Sequence, residues 1–150
     1  MTIADEVEDE ETLYRSVAKD CFTLVDGKLK LASTAFNDPT QKPSIDRANL
    51  CAFNPAHAKQ GFAHGVVALT ALSVRQIADV IHNDEHGQPK LAHQIDVIPD
   101  PIKNHLTLPD NPAHALIVAH PSFANAQVFK KLKKSLARIA SQGGWLIAPN

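Results

Sequence analysis

At 150 residues, 44% hydrophobic and 21% charged, the chain is sized for one globular domain able to bury about two-thirds of its unfolded surface. No run of about 18 apolar residues occurs, and the acidic opening MTIADEVEDEE lacks the basic-then-apolar order of a secretory leader, so the expectation is a cytoplasmic protein with no membrane partner. The only cysteines, Cys21 and Cys51, form no C-x-x-C pair; this argues against a disulfide scaffold or a four-thiolate zinc site and reads as two buried thiols.

The net charge of -1 conceals an asymmetry. Six acids precede residue 12, and from there on ten acids face fifteen bases. Residues 1–11 are therefore expected to be a self-repelling, disordered acidic tail, with the capacity to fold back over a basic surface or to dock on a basic partner. Residues 12–150 form the domain. Thr12–Val17 (TLYRSV) is β-branched and aromatic, and alternation places Leu13, Arg15 and Val17 on one side, Tyr14 and Ser16 on the other. Cys21–Val25, the turn Asp26-Gly27 and Lys28–Ala32 predict a hairpin. Asn37–Pro43 predicts a loop, and Ser44 is placed to N-cap a short helix running to Leu50.

Gly65–Leu72 suits a central strand, with a helical turn or two over Ser73–Ala78. The segment His82–Pro112 carries five prolines and predicts a long excursion with at most one short strand, near Ile95–Ile98. Ala113–Ala119 is the clearest buried strand. Ser122–Ser141 is the clearest helix, with Val128, Leu132, Leu136 and Ile139 on one stripe, and Gly143-Gly144 stops it before Trp145-Leu146-Ile147 packs back. The fold class is α+β: a single domain with a mostly antiparallel sheet and a C-terminal amphipathic helix packed on it.

Chemistry is sparser. Eight histidines are present, but His82 and His86 fall in the turn-like HNDEHG, so they are weak metal candidates and no metal or other cofactor is expected. His114 and His120 share a strand face about 20 Å apart, too far to ligate one ion together. There is no G-x-S-x-G elbow, no phosphate loop and no dinucleotide turn. Cys51 with a distant histidine is the remaining thiolate arrangement. The helix residues Lys130, Lys131, Lys133, Lys134 and Arg138 form a basic surface suited to phosphate backbone or an acidic partner, with no aromatics beyond Phe129 for base readout.

Two resemblances add expectations. LYR on the first strand and the later S-T-x-F, within Leu13–Phe36, resemble the arginine and Ser-Thr elements with which ADP-ribosyltransferase-type folds hold a dinucleotide. That resemblance implies an NAD-using enzyme with Arg15, Ser33 and Thr34 as ligand contacts. Such enzymes also use a late glutamate to steady an oxocarbenium-like transition state, and after Glu11 only Glu85 is available. More widely, LYRSV, STAFND, PSIDRA and NPAHALIV with the final basic helix resemble a family of small bacterial proteins encoded near toxin, mobile-element or phage-defence genes. This second resemblance implies a bacterial intracellular protein that works with an encoded partner, and it supplies no catalytic residues. The missing catalytic constellation and the opposed acidic tail and basic helix point to a non-enzymatic interaction or accessory subunit with a protein partner. ADP-ribosyltransferase-like chemistry and electrostatic nucleic-acid binding are the alternatives.

Overall fold

The computed structural model describes residues 6–150. The expected strand Thr12–Val17 forms (β1), followed by the hairpin β2 (Phe22–Val25) and β3 (Lys28–Leu31). Asp26 and Gly27, both at positive φ (52° and 77°), supply the turn. A 3-10 turn over Ser33–Phe36 leads to β4 (Ser44–Arg47), and further 3-10 turns at Ala48–Leu50 and Pro55–Ala58 precede β5 (Gly65–Thr70). Then come α1 (Ala71–Arg75), the hairpin β6 (Ile81–Asn83) and β7 (Pro89–Ala92), β8 (Gln94–Pro99), β9 (His114–His120), α2 (Ala126–Gly143) and β10 (Trp145–Ile147).

Six strands make one antiparallel sheet in the order β10-β5-β1-β4-β9-β8. Alternation gives it two unlike faces. Leu13 and Val17 of β1, Val67 and Leu69 of β5, Ile95 and Val97 of β8, and Ala115 and Ile117 of β9 form the main core with Val128, Phe129, Leu132, Leu136, Ala137 and Ala140 of α2. The opposite face is smaller, with Tyr14 and Val66 under Ala48 and Ala58. The chain is thus a single α+β domain with an amphipathic C-terminal helix on its sheet. No helix among the described residues is long and apolar enough to cross a membrane.

Asn125 caps α2 by accepting the Val128 N–H (3.0 Å), so the helix starts four residues later than expected. Gly144, at φ 71°, ends it. Beyond it Trp145 packs edge-on against Phe22 (4.9 Å) and directly over Gly65, where a Cβ would meet the indole at 2.5 Å.

Two local expectations are corrected. Residues 44–47 are a strand, not the start of a helix: Arg47 N–H donates to Ala113 O (2.8 Å), Ile117 N–H donates to Pro43 O (2.9 Å), and β4 is laddered on both sides. A central position with two pairing neighbours outweighs the local capping signal of Ser44. The proline-rich excursion contains three strands where at most one was expected, because Pro89 and Pro99 sit at strand ends, where a missing N–H costs no ladder bond.

The acidic segment divides. Residues 1–5 of the expected disordered tail lie outside the described residues. Residues 6–11 pack onto the domain. Val7 is buried, Leu72 N–H donates to Asp9 O (2.9 Å), and Ala71 N–H donates to Glu11 O (3.0 Å). Arg47, 2% exposed, grips the Glu11 carboxylate with two bonds (Nε–Oε1 2.8 Å, Nη2–Oε2 2.9 Å) and also donates to Glu6 O (2.9 Å). Arg75 donates to Asp9 (2.8 Å), Asp96 (2.7 Å) and Val97 O (3.2 Å). At the sheet's outer edge Val97 N–H meets the Asp96 carboxylate (2.7 Å), so both Val97 backbone groups are met by side chains.

Burial alone would raise the Glu11 carboxyl, but the hydrogen bonds from Arg47 and the Glu8 N–H outweigh it and hold the group below its ordinary range. A lowered folded-state value means that the unfolded chain binds more protons near that range, so stability from this pair is present above the unfolded carboxylate value and is lost as pH falls through the folded one. Glu11→Gln should cost about 3 kcal/mol at neutral pH. In urea unfolding, the gap between wild type and variant should narrow as pH drops below the ordinary glutamate value of 4.5. A gap that stays constant into acid would show that the carboxylate charge is not the stabilising element.

Candidate functional site

Arg15 is engaged within the fold. Its Nε donates to Ala35 O (3.0 Å), Nη1 to Ser44 O (2.8 Å) and Nη2 to Asn37 O (3.1 Å), while the guanidinium lies over Phe36 at 5.4 Å. The sequence places these carbonyls within reach by turning Ser33–Phe36 into a 3-10 turn over the end of β1. Burial lowers the Arg15 pKa, though carbonyl acceptors and Asp38 keep the cation supported. Ser33 and Thr34 open that turn, and Ser33 faces a different concavity from the one Arg15 borders. Glu85 is fully solvated at the tip of the β6–β7 hairpin beside His86 (3.6 Å). Arginine, Ser-Thr pair and glutamate are therefore not gathered into one pocket.

The basic helix residues divide into two sets. Lys131 Nζ donates to Ile81 O (2.6 Å), and Lys133 Nζ donates to Asn37 Oδ1 (2.7 Å) while lying over Phe129 (5.0 Å), so both tie α2 to neighbouring elements. Lys130, Lys134 and Arg138 are exposed, at i, i+4 and i+8, on one line along α2. Lys134 and Arg138 line a groove of about 480 Å³ with Lys30, Leu31, Ala32 and Ser33 from β3 and its turn and Ser141 from the helix end, and Lys130 continues the cation line beyond it. Ser141 fixes that geometry by accepting the Leu31 N–H (2.9 Å) and donating to Ala137 O (2.6 Å). Among the described residues no carboxylate lines the groove.

The second concavity lies on the sheet face away from α2. It has a volume of about 340 Å³ and is bordered by Tyr14, Ser16, Asp46, His57, Lys59, Asn111 and His114, among others. Asp46 is buried, and its carboxylate accepts from Asn111 Nδ2 (2.9 Å) and meets His57 Nδ1 (3.0 Å). His114 lies opposite Asp46 in the β4–β9 register, with its Nδ1 on Asp100 O (2.9 Å) and near the Asp100 carboxylate (3.2 Å).

The residues of this cleft escape motif searches, but one signal was present. Asn-Pro-Ala-His-Ala occurs twice, at 54–58 and 111–115. In both copies the asparagine Oδ1 accepts the N–H two residues on, at 3.1 Å, a short turn that aims the following imidazole at the cleft.

His82 lies in β6 and His86 in the adjoining turn, and among the described residues no group of three His, Cys, Asp or Glu side chains is arranged to hold a metal ion. Burial and the nearby Asp46 push the Cys51 thiol up, and it contacts the backbone oxygen of Arg47 at 3.4 Å, an environment that keeps it protonated.

Comparisons with family models, curated proteins and solved structures return no match, so the chemistry of these sites is what supports any functional reading. Arg15→Met should cost about 3 kcal/mol in thermal unfolding, because charge-assisted bonds to three carbonyls are lost. A variant of native stability would show that Arg15 is not a structural clamp.

Proposed function

We propose that the protein binds nucleic acid through its phosphate backbone, in the groove between β3 and α2. One observation carries this reading: Lys130, Lys134 and Arg138 are aligned on a single exposed helix line with Lys30 across the groove, and none has an ion-pair or hydrogen-bond partner among the described residues. Two features support it further. Of the described acids in the N-terminal segment, Glu11 is held by Arg47 and Asp9 by Arg75, while Glu6, Glu8 and Glu10 lie with Asp9 and none lines this surface. Over eight helical residues the line of cations spans about 12 Å, and no aromatic side chain borders the groove to stack on or read a base. Recognition of this kind is electrostatic and indifferent to sequence.

Four phosphate contacts imply a slope of log affinity against log salt near about −3.6, or about a hundredfold loss between about 50 and 200 mM salt. In fluorescence anisotropy with duplex DNA, Lys134→Gln and Arg138→Gln should each weaken binding and reduce the slope by about 1. Binding that is insensitive to salt, or unaltered in the double variant, would refute the assignment. Capture of an acidic protein with no affinity for nucleic acid would reassign the same surface to a protein partner.

A further inference from the structure

The cleft built by the two Asn-Pro-Ala-His-Ala segments has a chemical logic separate from the basic groove, which lies on the other face of the sheet. Each segment delivers one imidazole to the same cavity, the first from the 3-10 turn Pro55–Ala58 and the second from the start of β9. Each ring is anchored through Nδ1: His57 on the Asp46 carboxylate at 3.0 Å, His114 on Asp100. Neither Nε2 has a protein partner among the described residues. His57 is 37% exposed in its side chain and His114 18%, so both remain accessible. A carboxylate behind Nδ1 fixes the orientation of the ring and leaves Nε2 free to exchange a proton with a substrate. Two such rings in one cleft make an acid–base pair.

The cleft's carboxylate and its Ser16 hydroxyl are both engaged. The Asp46 oxygens are held by His57 and Asn111, and Ser16 Oγ accepts the Gln60 N–H (3.0 Å) and is hydrogen-bonded to His64 Nδ1 (2.8 Å). A substrate suited to this arrangement brings its own attacking hydroxyl. Lys59, on the cleft wall with its ammonium 5.5 Å from the Phe62 ring centre, supplies positive charge, which suits an anionic reacting centre. RNA meets both requirements, because each phosphodiester has a 2′-hydroxyl beside it.

We propose that this cleft cleaves RNA by internal transphosphorylation. His57 Nε2 accepts the 2′-hydroxyl proton as the 2′-oxygen bonds to phosphorus. The P–O5′ bond breaks, and His114 Nε2–H gives its proton to the departing 5′-oxygen. The products are a 2′,3′-cyclic phosphate and a 5′-hydroxyl, and Lys59 offsets the charge that gathers on the phosphoryl oxygens. Atoms and charge balance without an oxidant or a co-reactant.

The test incubates the full chain with end-labelled single-stranded RNA and with the all-deoxy strand of the same sequence, in the presence of a chelator. His57→Gln, His114→Gln and the double variant are purified in parallel, with His86→Ala in the exposed β6–β7 turn as the unchanged reference. Expected are cyclic-phosphate ends on the RNA, an intact deoxy strand, and at least about a hundredfold loss in each single cleft variant. Circular dichroism melts establish that the variants are folded. Absence of RNA cleavage by wild type, equal cleavage of the deoxy strand, or full activity in the double variant would each overturn the proposal. DNA binding by the basic groove is measured separately, so failure of one assignment is distinguishable from failure of the other.

Discussion

The bidentate contact between Arg47 and Glu11 is the constraint on which the rest of this structure leans. A guanidinium in the middle of a sheet is costly to desolvate, and it is tolerated only where a carboxylate and further acceptors meet its fork. Glu11 reaches it because residues 6–11 run back across the domain, where Glu8 N–H shares the same carboxylate at 2.7 Å. That contact holds β4 in register between β1 and β9. The register in turn sets Asp46 opposite Tyr14 on one side and opposite His114 on the other. The polar cleft is thus a consequence of a buried ion pair one residue away, on the opposite face of the same strand.

Much of the fold was legible where the signal is local. β1 and the Asp26-Gly27 hairpin followed from alternation and a turn that only certain residues adopt, and α2 followed from its apolar stripe. β4 was not legible, because Ser44 looks like a helix cap and the two strands that claim it lie far away in sequence. The β6–β7 hairpin was hidden by a proline count that ignored where the prolines fall. Charge patterning anticipated that the acidic segment could fold back on bases but could not choose them. The segment's described residues met two arginines of the domain, Arg47 and Arg75, and not the lysines of the helix.

The sites show the same division. A helical spacing of four put Lys130, Lys134 and Arg138 on one line, so that surface could be read directly. The partners of Lys131 and Lys133 could not be, since Ile81 and Asn37 are long-range neighbours. Arg15 and Ser33 border different concavities, because the 3-10 turn carries the serine towards α2 and offers the arginine the Ala35 carbonyl and the Phe36 ring. The histidine cleft depends on a pentapeptide used twice in unlike settings, a turn and a strand, and nothing in its composition marks it as a site.

The outer edge of β8 bears on how this molecule can meet others. Both Val97 main-chain groups facing that edge are answered by Arg75 and Asp96, and Pro99, two residues along, has no N–H to offer. An incoming extended chain needs a run of alternate free groups to zip onto a sheet. Here the run is interrupted at consecutive outward positions. Strand exchange and fibril-like growth are therefore blocked along β8, one of the two edges of the six-stranded sheet.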